Sequence, residues 1–225
     1  MDDLDAALQK AGVPILHVDC YKLESLPAEV RLLGKVFGEE KRAESYAAFI
    51  ERHINLVRER TDRLSAADRR TVFWEQYSAY HTSSAKSEHH NLITLAGGRN
   101  IAADEPVKSP VVSAEWVLQH NPAVIIKHEI GGGYLSTEEP LRRSYTSLIE
   151  RPGWHQLAAV RDGRVHVIST EIGSGPRVVI GLLYMAKWLQ PELFRDVDPD
   201  AVHREFLRRF YGMDLRGIYV YPLAG

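Results

Sequence analysis

Three stretches of this chain hold the side chains that could do chemistry, and each follows an apolar run. The first is Glu75-Gln76-Tyr77-Ser78-Ala79-Tyr80-His81-Thr82-Ser83-Ser84, with two phenols, an imidazole and several hydroxyls. Such a set suits the wall of a large, partly aromatic ligand, since a phenol joins apolar area to a polar tip. The second is His128-Glu129-Ile130-Gly131-Gly132-Gly133-Tyr134. Its glycines let backbone approach a ligand and can cradle an anion, although no Lys-Ser/Thr pair follows as a P-loop requires. An ordinary turn is the alternative. The third runs from Ser169 to Arg177, with Glu171 facing the same cleft and Arg177 in the first turn of a helix. A cation there opposes the helix dipole, so it needs an anionic partner, either Glu171 or a ligand.

Metal and catalytic chemistry are less well served. His81, His89 and His90 with Glu129 could ligate a transition ion, but their spacing matches no zinc signature. Adjacent His89 and His90 on a helix would point about 100° apart. The single cysteine, Cys20, excludes an internal disulfide and a Cys-based zinc site. There is no Gly-x-Ser-x-Gly elbow, no His-Glu-x-x-His and no GxGxxG after a strand. No residue is assigned a catalytic or metal-holding role, and a binding protein is expected rather than an enzyme.

The elements that must carry these loops read as α/β. Strands are expected at 13–18, 70–74, 123–127 and 164–168, and helices at 4–11, 27–37, 87–95, 113–120, 138–149, 176–189 and 198–211. Strand 123–127 is apolar enough to be covered on both faces, as parallel strands are. In open α/β sheets ligands bind beyond the carboxyl ends of the strands, which is where the three loops fall. The whole is organised around Glu39 to Arg60, where Ala43, Tyr46, Ala47, Ile50, Ile54 and Val57 form one stripe of a helix roughly 33 Å long. It reads either as a surface helix of one globule or as a rigid strut between two bodies.

Bulk properties narrow the field. A formal net charge of −2 over 225 residues leaves no electrostatic footprint for nucleic acid. No apolar run approaches the roughly 20 residues of a membrane span. The acidic start Met1-Asp2-Asp3-Leu4-Asp5 lacks the features of an export signal.

With these pieces in place, the sequence resembles the periplasmic substrate-binding proteins of ABC importers for ferric siderophores, haem and cobalamin. The matching segments are Gly12-Val13-Pro14-Ile15, Leu33 to Glu40 with Arg42-Ala43, and Ala96-Gly97-Gly98-Arg99-Asn100-Ile101-Ala102. Val112 to Leu118 with Asn121-Pro122-Ala123-Val124-Ile125-Ile126 continues the order, Ala123 standing where the family has Asp. Pro152-Gly153-Trp154, Ala158-Ala159-Val160 with Gly163-Arg164-Val165, and Gly175-Pro176-Arg177 complete it.

The resemblance implies a Rossmann-like three-layer lobe at 65–225, a linking helix at 39–64, and at 1–38 the remnant of a second, amino-terminal α/β lobe. The family's first strand and its Pro-Ser/Thr-x-Glu loop are not found, so the chain reads as a carboxy-terminal portion. Tyr77, Tyr80 and His81 would then line the ligand cleft, with Glu129, Tyr134, Trp154, Glu171 and Arg177 as further contacts. The ligand would be an iron chelate, haem or a corrinoid, with no resident cofactor. Glu115 would pair with arginines of the ABC permease, which works with its ATPase. The full-length protein is expected to be periplasmic or extracellular and membrane-associated. The orphaned strand at Val13 to Val18 could pair with a second copy, giving a homodimer through the incomplete lobe. The rivals are a binder of a bare transition-metal ion through His and Glu, a chelate-handling enzyme or hydrolase on the same fold, and an interaction module without ligand.

Overall fold

Period-two alternation in three apolar strands decides the layering. In the computed structural model, which describes residues 2–131, 133, 134 and 137–222, the chain opens with helices α1 (Asp2–Lys10), α2 (Leu26–Phe37) and α3 (Glu40–Thr61). Then come β1 (Arg70–Glu75), α4 (Glu88–Leu95), β2 (Gly98–Asn100), α5 (Ala114–His120), β3 (Val124–Glu129) and α6 (Glu139–Ile149). The last part holds α7 (Ala158–Arg161), β4 (Val165–Ser169), α8 (Thr170–Gly173), α9 (Val178–Leu189), α10 (Pro199–Tyr211) and β5 (Val220–Tyr221). The strands form one open sheet in the order β2-β1-β3-β4-β5, parallel except for the β4–β5 pair.

Val72, Trp74, Val124, Ile126 and Ile168 pack on one side with α3, α4, α9 and α10. Phe73, Ile125 and Val165 pack on the other with Val117 of α5, Leu148 of α6 and Ala159 of α7. Side chains of a strand point alternately up and down, so strands apolar at every position must be covered on both faces. The outcome is the expected three-layer α/β arrangement.

Helix starts and stops follow the residue chemistry. Ser87, Ser113 and Asp198 accept from the backbone N–H three residues on, at 3.3, 3.1 and 3.0 Å, and so cap α4, α5 and α10. Gly38 and Gly212 end α2 and α10 with left-handed φ of 69° and 65°.

Helix α3 is one unbroken rod. Its buried face includes Ala43, Ala47, Ile50, Ile54 and Val57 as expected, widened by Phe49 and His53. Phe49 packs against Phe206 and Phe210 of α10 at 5.5 Å each. Arg31 of α2 grips Glu44 and Glu51 of α3 together, which ties α2 along it.

Three readings are corrected. Residues Val13 to Val18 run without strand pairing, because no neighbouring strand among the described residues offers them a ladder, and Val13, Leu16 and Val18 are exposed. The helix expected from Pro176 begins at Val178, after a separate turn at Gly175–Arg177. The short β2, β5 and α8 were not foreseen; two to four residues are too few to display a period.

Gly181 of α9 marks the tightest helix crossing under the site. A Cβ there would lie 2.1 Å from the Ile172 carbonyl oxygen, a backbone atom that cannot move aside cheaply. Gly181→Ala is expected to destabilise by about 1–3 kcal/mol or more through overpacking. An unchanged urea midpoint would contradict this close approach of α8 and α9.

Candidate functional site

The carboxyl ends of β1, β3 and β4 stop side by side, with Glu75 opposite Lys127 and Glu129 opposite Ser169. All three chemistry-bearing loops leave from this edge, and clefts of about 300, 500 and 920 Å³ open among them. Gly132, one of the three glycines of the second loop, lies outside the described residues.

Beneath the first loop is a buried ion cluster. Glu75 is fully buried and takes both nitrogens of Arg151, at 2.6 and 2.9 Å, with Lys127 at 3.2 Å. Its carboxylate also accepts from Tyr80 N at 2.7 Å, while Lys127 donates to the carbonyls of Gln76 and Tyr77. The loop is thus held at both ends by charge. Tyr80 adopts φ 60°, a left-handed conformation rare for a residue with a side chain. Arg151 lies against the rings of Tyr80 and Trp154, 4.6 and 4.5 Å from their centres.

That arrangement sorts the expected contacts. Tyr77, 44% exposed, lines both the 300 and the 500 Å³ clefts. Tyr80 and His81 line none of the three; His81 instead forms an antiparallel bridge with Val111. Trp154 is fully buried in the core beyond the other sheet face. Glu129 lines the 500 Å³ cleft and is bound by Ser144 Oγ at 2.6 Å and Ile130 N at 3.0 Å.

The third loop makes the widest cleft. Tyr134, Glu171 and Arg177 all line it, with Tyr211 and Tyr219. Glu171 accepts from Ser169 Oγ rather than from Arg177, so the Glu171–Arg177 pair does not form. Arg177 instead lies over the rings of Tyr134 and Tyr219, at 5.5 and 5.3 Å, and donates to Tyr134 Oη at 3.1 Å. Among the described residues no carboxylate pairs with it. Behind it, buried His203 has its pKa pushed down to about 3, first by burial and then by Arg177 itself. A neutral imidazole therefore backs the guanidinium and leaves its charge for the cleft.

Between the first and third loops sit two more imidazoles. Burial lowers His89 to about 4 and His128 to about 3, the latter helped by His89 and Lys127. His81, His90 and Glu129 do not join them, and among the described residues no three His, Cys, Asp or Glu converge on one point. The four-residue metal set read from sequence is therefore not assembled. Sequence reasoning missed His203, Lys127 and Arg151 and gave Glu75 and His128 no role beyond membership of their loops, because nothing local distinguishes a buried charge from a solvated one. The alternation of the strands was the available signal for Glu75, which continues β1.

Glu115 stands exposed in the first turn of α5, and its own backbone N–H and the Ser113 hydroxyl hold its carboxyl below the usual range. Helix α5 leads down into β3, so its amino terminus lies toward the cleft edge of the sheet.

Comparison with known proteins gives a family. The model of a periplasmic binding protein family matches residues 2–171. A vitamin B12-binding protein of Pectobacterium carotovorum is 31% identical over 125 residues, covering 56% of this chain and 44% of that protein. The ABC transporter substrate-binding lipoprotein YvrC of Bacillus subtilis is 21% identical over 194 residues, covering 84% and 58%. The chain thus spans about half the length of the curated relatives it matches. Among solved structures, the TroA-like periplasmic binding protein FepB of Veillonella parvula superposes with a TM-score of 0.86 at 26% identity, covering 99% of this chain and 68% of that one. The resemblance drawn from the motifs holds on both counts, and this chain belongs to the periplasmic binding protein family.

Proposed function

We propose that the protein is the solute-binding component of an ABC importer and captures a metal chelate, either a ferric siderophore, haem or cobalamin. It makes and breaks no bond; it holds its ligand outside the membrane and presents it to a permease. Among the described residues no helix is long and apolar enough to cross the membrane itself. The names of the two curated relatives support the ligand class and the transporter.

The observation that carries the reading is Arg177. It faces a cleft of about 920 Å³ framed by tyrosines, and among the described residues no carboxylate neutralises it. A cleft of that size lies within the range of sites for ligands larger than a bare ion. A guanidinium left unpaired on an aromatic floor suits a ligand with a carboxylate, catecholate or phosphate on an apolar body. Tyr77 and Tyr134 add aromatic wall. Glu115 serves as the permease-docking carboxylate on the same edge, guiding encounter more than tightening it. Residues 39–64 act as the link between the lobe at 65–225 and the lobe to which 1–38 belongs. Among the described residues the bare-ion reading lacks a third converging donor.

Titration with haem, cyanocobalamin and ferric siderophores, followed by tryptophan fluorescence and calorimetry, tests the proposal. Saturable binding of at least one is expected, and Arg177→Ala should weaken an anionic ligand by about 10–100-fold, the loss of a hydrogen bond to a charged group. No saturable binding of any chelate would count against the transport reading.

A further inference from the structure

His128 is fully buried, and among the described residues neither of its ring nitrogens has a hydrogen-bond partner. An orphaned buried polar group costs about 1–3 kcal/mol, so one retained beside a cleft needs a reason. Aromatic rings surround it: those of Trp74, Tyr77 and His89 lie 5.2, 5.1 and 5.2 Å away. His89 is held as metal-binding histidines are, with Nδ1 3.2 Å from Ser83 Oγ and Nε2 left over. Two imidazoles sharing one ion at about 2.0–2.1 Å per nitrogen have ring centres roughly 5 Å apart. The two rings here are 5.2 Å apart.

A cleft lies beside the pair. The 300 Å³ cleft is lined by His89, Tyr77 and Gly173. A Cβ on Gly173 would lie 2.6 Å from His128 Nε2, so a glycine there keeps the edge of the imidazole next to the cleft.

We propose that His89 and His128 are a paired imidazole donor that completes the coordination sphere of a transition-metal ion arriving in an incomplete chelate. The inference rests on the chelate-binding function and narrows it. Two nitrogens are too few for a bare ion, whose closed sites use about four protein ligands. The chelate must therefore bring the remaining donors, and imidazole favours nickel, copper, zinc or iron over calcium or magnesium. Tyr77 lies against His128, so ion entry requires its ring to swing aside, and the side chain is 44% exposed.

The test uses nickel nitrilotriacetate, which leaves two adjacent positions on the ion open, beside nickel ion alone. One nickel chelate per chain is expected, with affinity lowered at least 10-fold in His89→Gln and in His128→Asn. It should be unchanged in His120→Gln, an exposed histidine stacked on Trp116. Since the buried variant can fail to fold, X-ray absorption at the nickel edge of the unaltered protein gives an independent readout. Two imidazole nitrogens at about 2.0–2.1 Å support the pair, and none overturns it. Binding untouched by either substitution also overturns it. Haem, cobalamin or siderophore binding that persists without any nickel chelate bound would sink the imidazole pair alone and leave the transport reading standing.

Discussion

Acid unfolding is expected near pH 5, well above the range where surface carboxylates protonate. Four histidines are responsible: His89 is lowered to about 4, and His128, His166 and His203 to about 3, burial being the first cause for each. In the unfolded chain each would titrate near 6.5. The unfolded state therefore binds more protons below that pH, and stability falls as pH falls. The contribution is complete above about pH 6.5 and is lost down to the folded values of 3 to 4. Each histidine adds a slope of about 1.4 kcal/mol per pH unit within that window. Four together would remove on the order of 5–8 kcal/mol by pH 5, comparable with a typical total of about 5–15 kcal/mol. Urea melts at pH 7, 6 and 5 test this, and equal midpoints at pH 7 and 5 would refute it. His166→Leu offers a control, because His166 stacks on Trp188 at 4.3 Å and lines none of the three clefts. That variant should flatten the slope by about a quarter and leave ligand binding intact.

Glu75→Gln is expected to destabilise the fold by about 3–5 kcal/mol. The carboxylate is fully buried, and removing its charge strands Lys127 and Arg151, whose side chains are 6% and 14% exposed. Breaking one member of a buried ion cluster is expensive for that reason, whereas replacing all its members together can be nearly neutral. In a chain of this size the loss lowers the melting temperature by about 2–4 °C per kcal/mol, or roughly 10 °C in all. Lys127→Met added to Glu75→Gln should restore part of it, because one stranded cation is gone. A single-mutant loss below about 1 kcal/mol would mean that water reaches the cluster. The same substitution should free the Tyr77–Tyr80 loop, since Glu75 anchors Tyr80 N and Lys127 holds the Tyr77 carbonyl.

Much of the architecture is written in local patterns. The stripe from Ala43 to Val57 specified one long helix, the apolar runs at β1, β3 and β4 specified strands, and that at β3 specified cover on both faces. Ser113, Asp198 and Gly212 marked helix ends by cap chemistry that needs no tertiary partner. Motif order from Gly12 to Arg177 pointed to the family that residues 2–171 match. The strand proposed at Val13 to Val18 failed for the converse reason, since a strand exists only through a neighbour.

The site was legible only in outline. That loops after β1, β3 and β4 would share an edge follows from a parallel sheet, and Tyr77, Tyr134, Glu171 and Arg177 do line clefts there. Which side chain faces outward was decided by contacts between residues far apart in the chain. Arg151 lies 76 positions from the Glu75 it pairs with, and together they turn Tyr80 inward. His203, 26 positions from Arg177, backs the guanidinium; His128 of β3 meets His89 of α4. Residue type and spacing settle what a segment can become, because helix periods, strand alternation and caps are short-range. Burial, charge pairing and the proton affinity of each group depend on what packs against it, and only the assembled sheet and helices supply that.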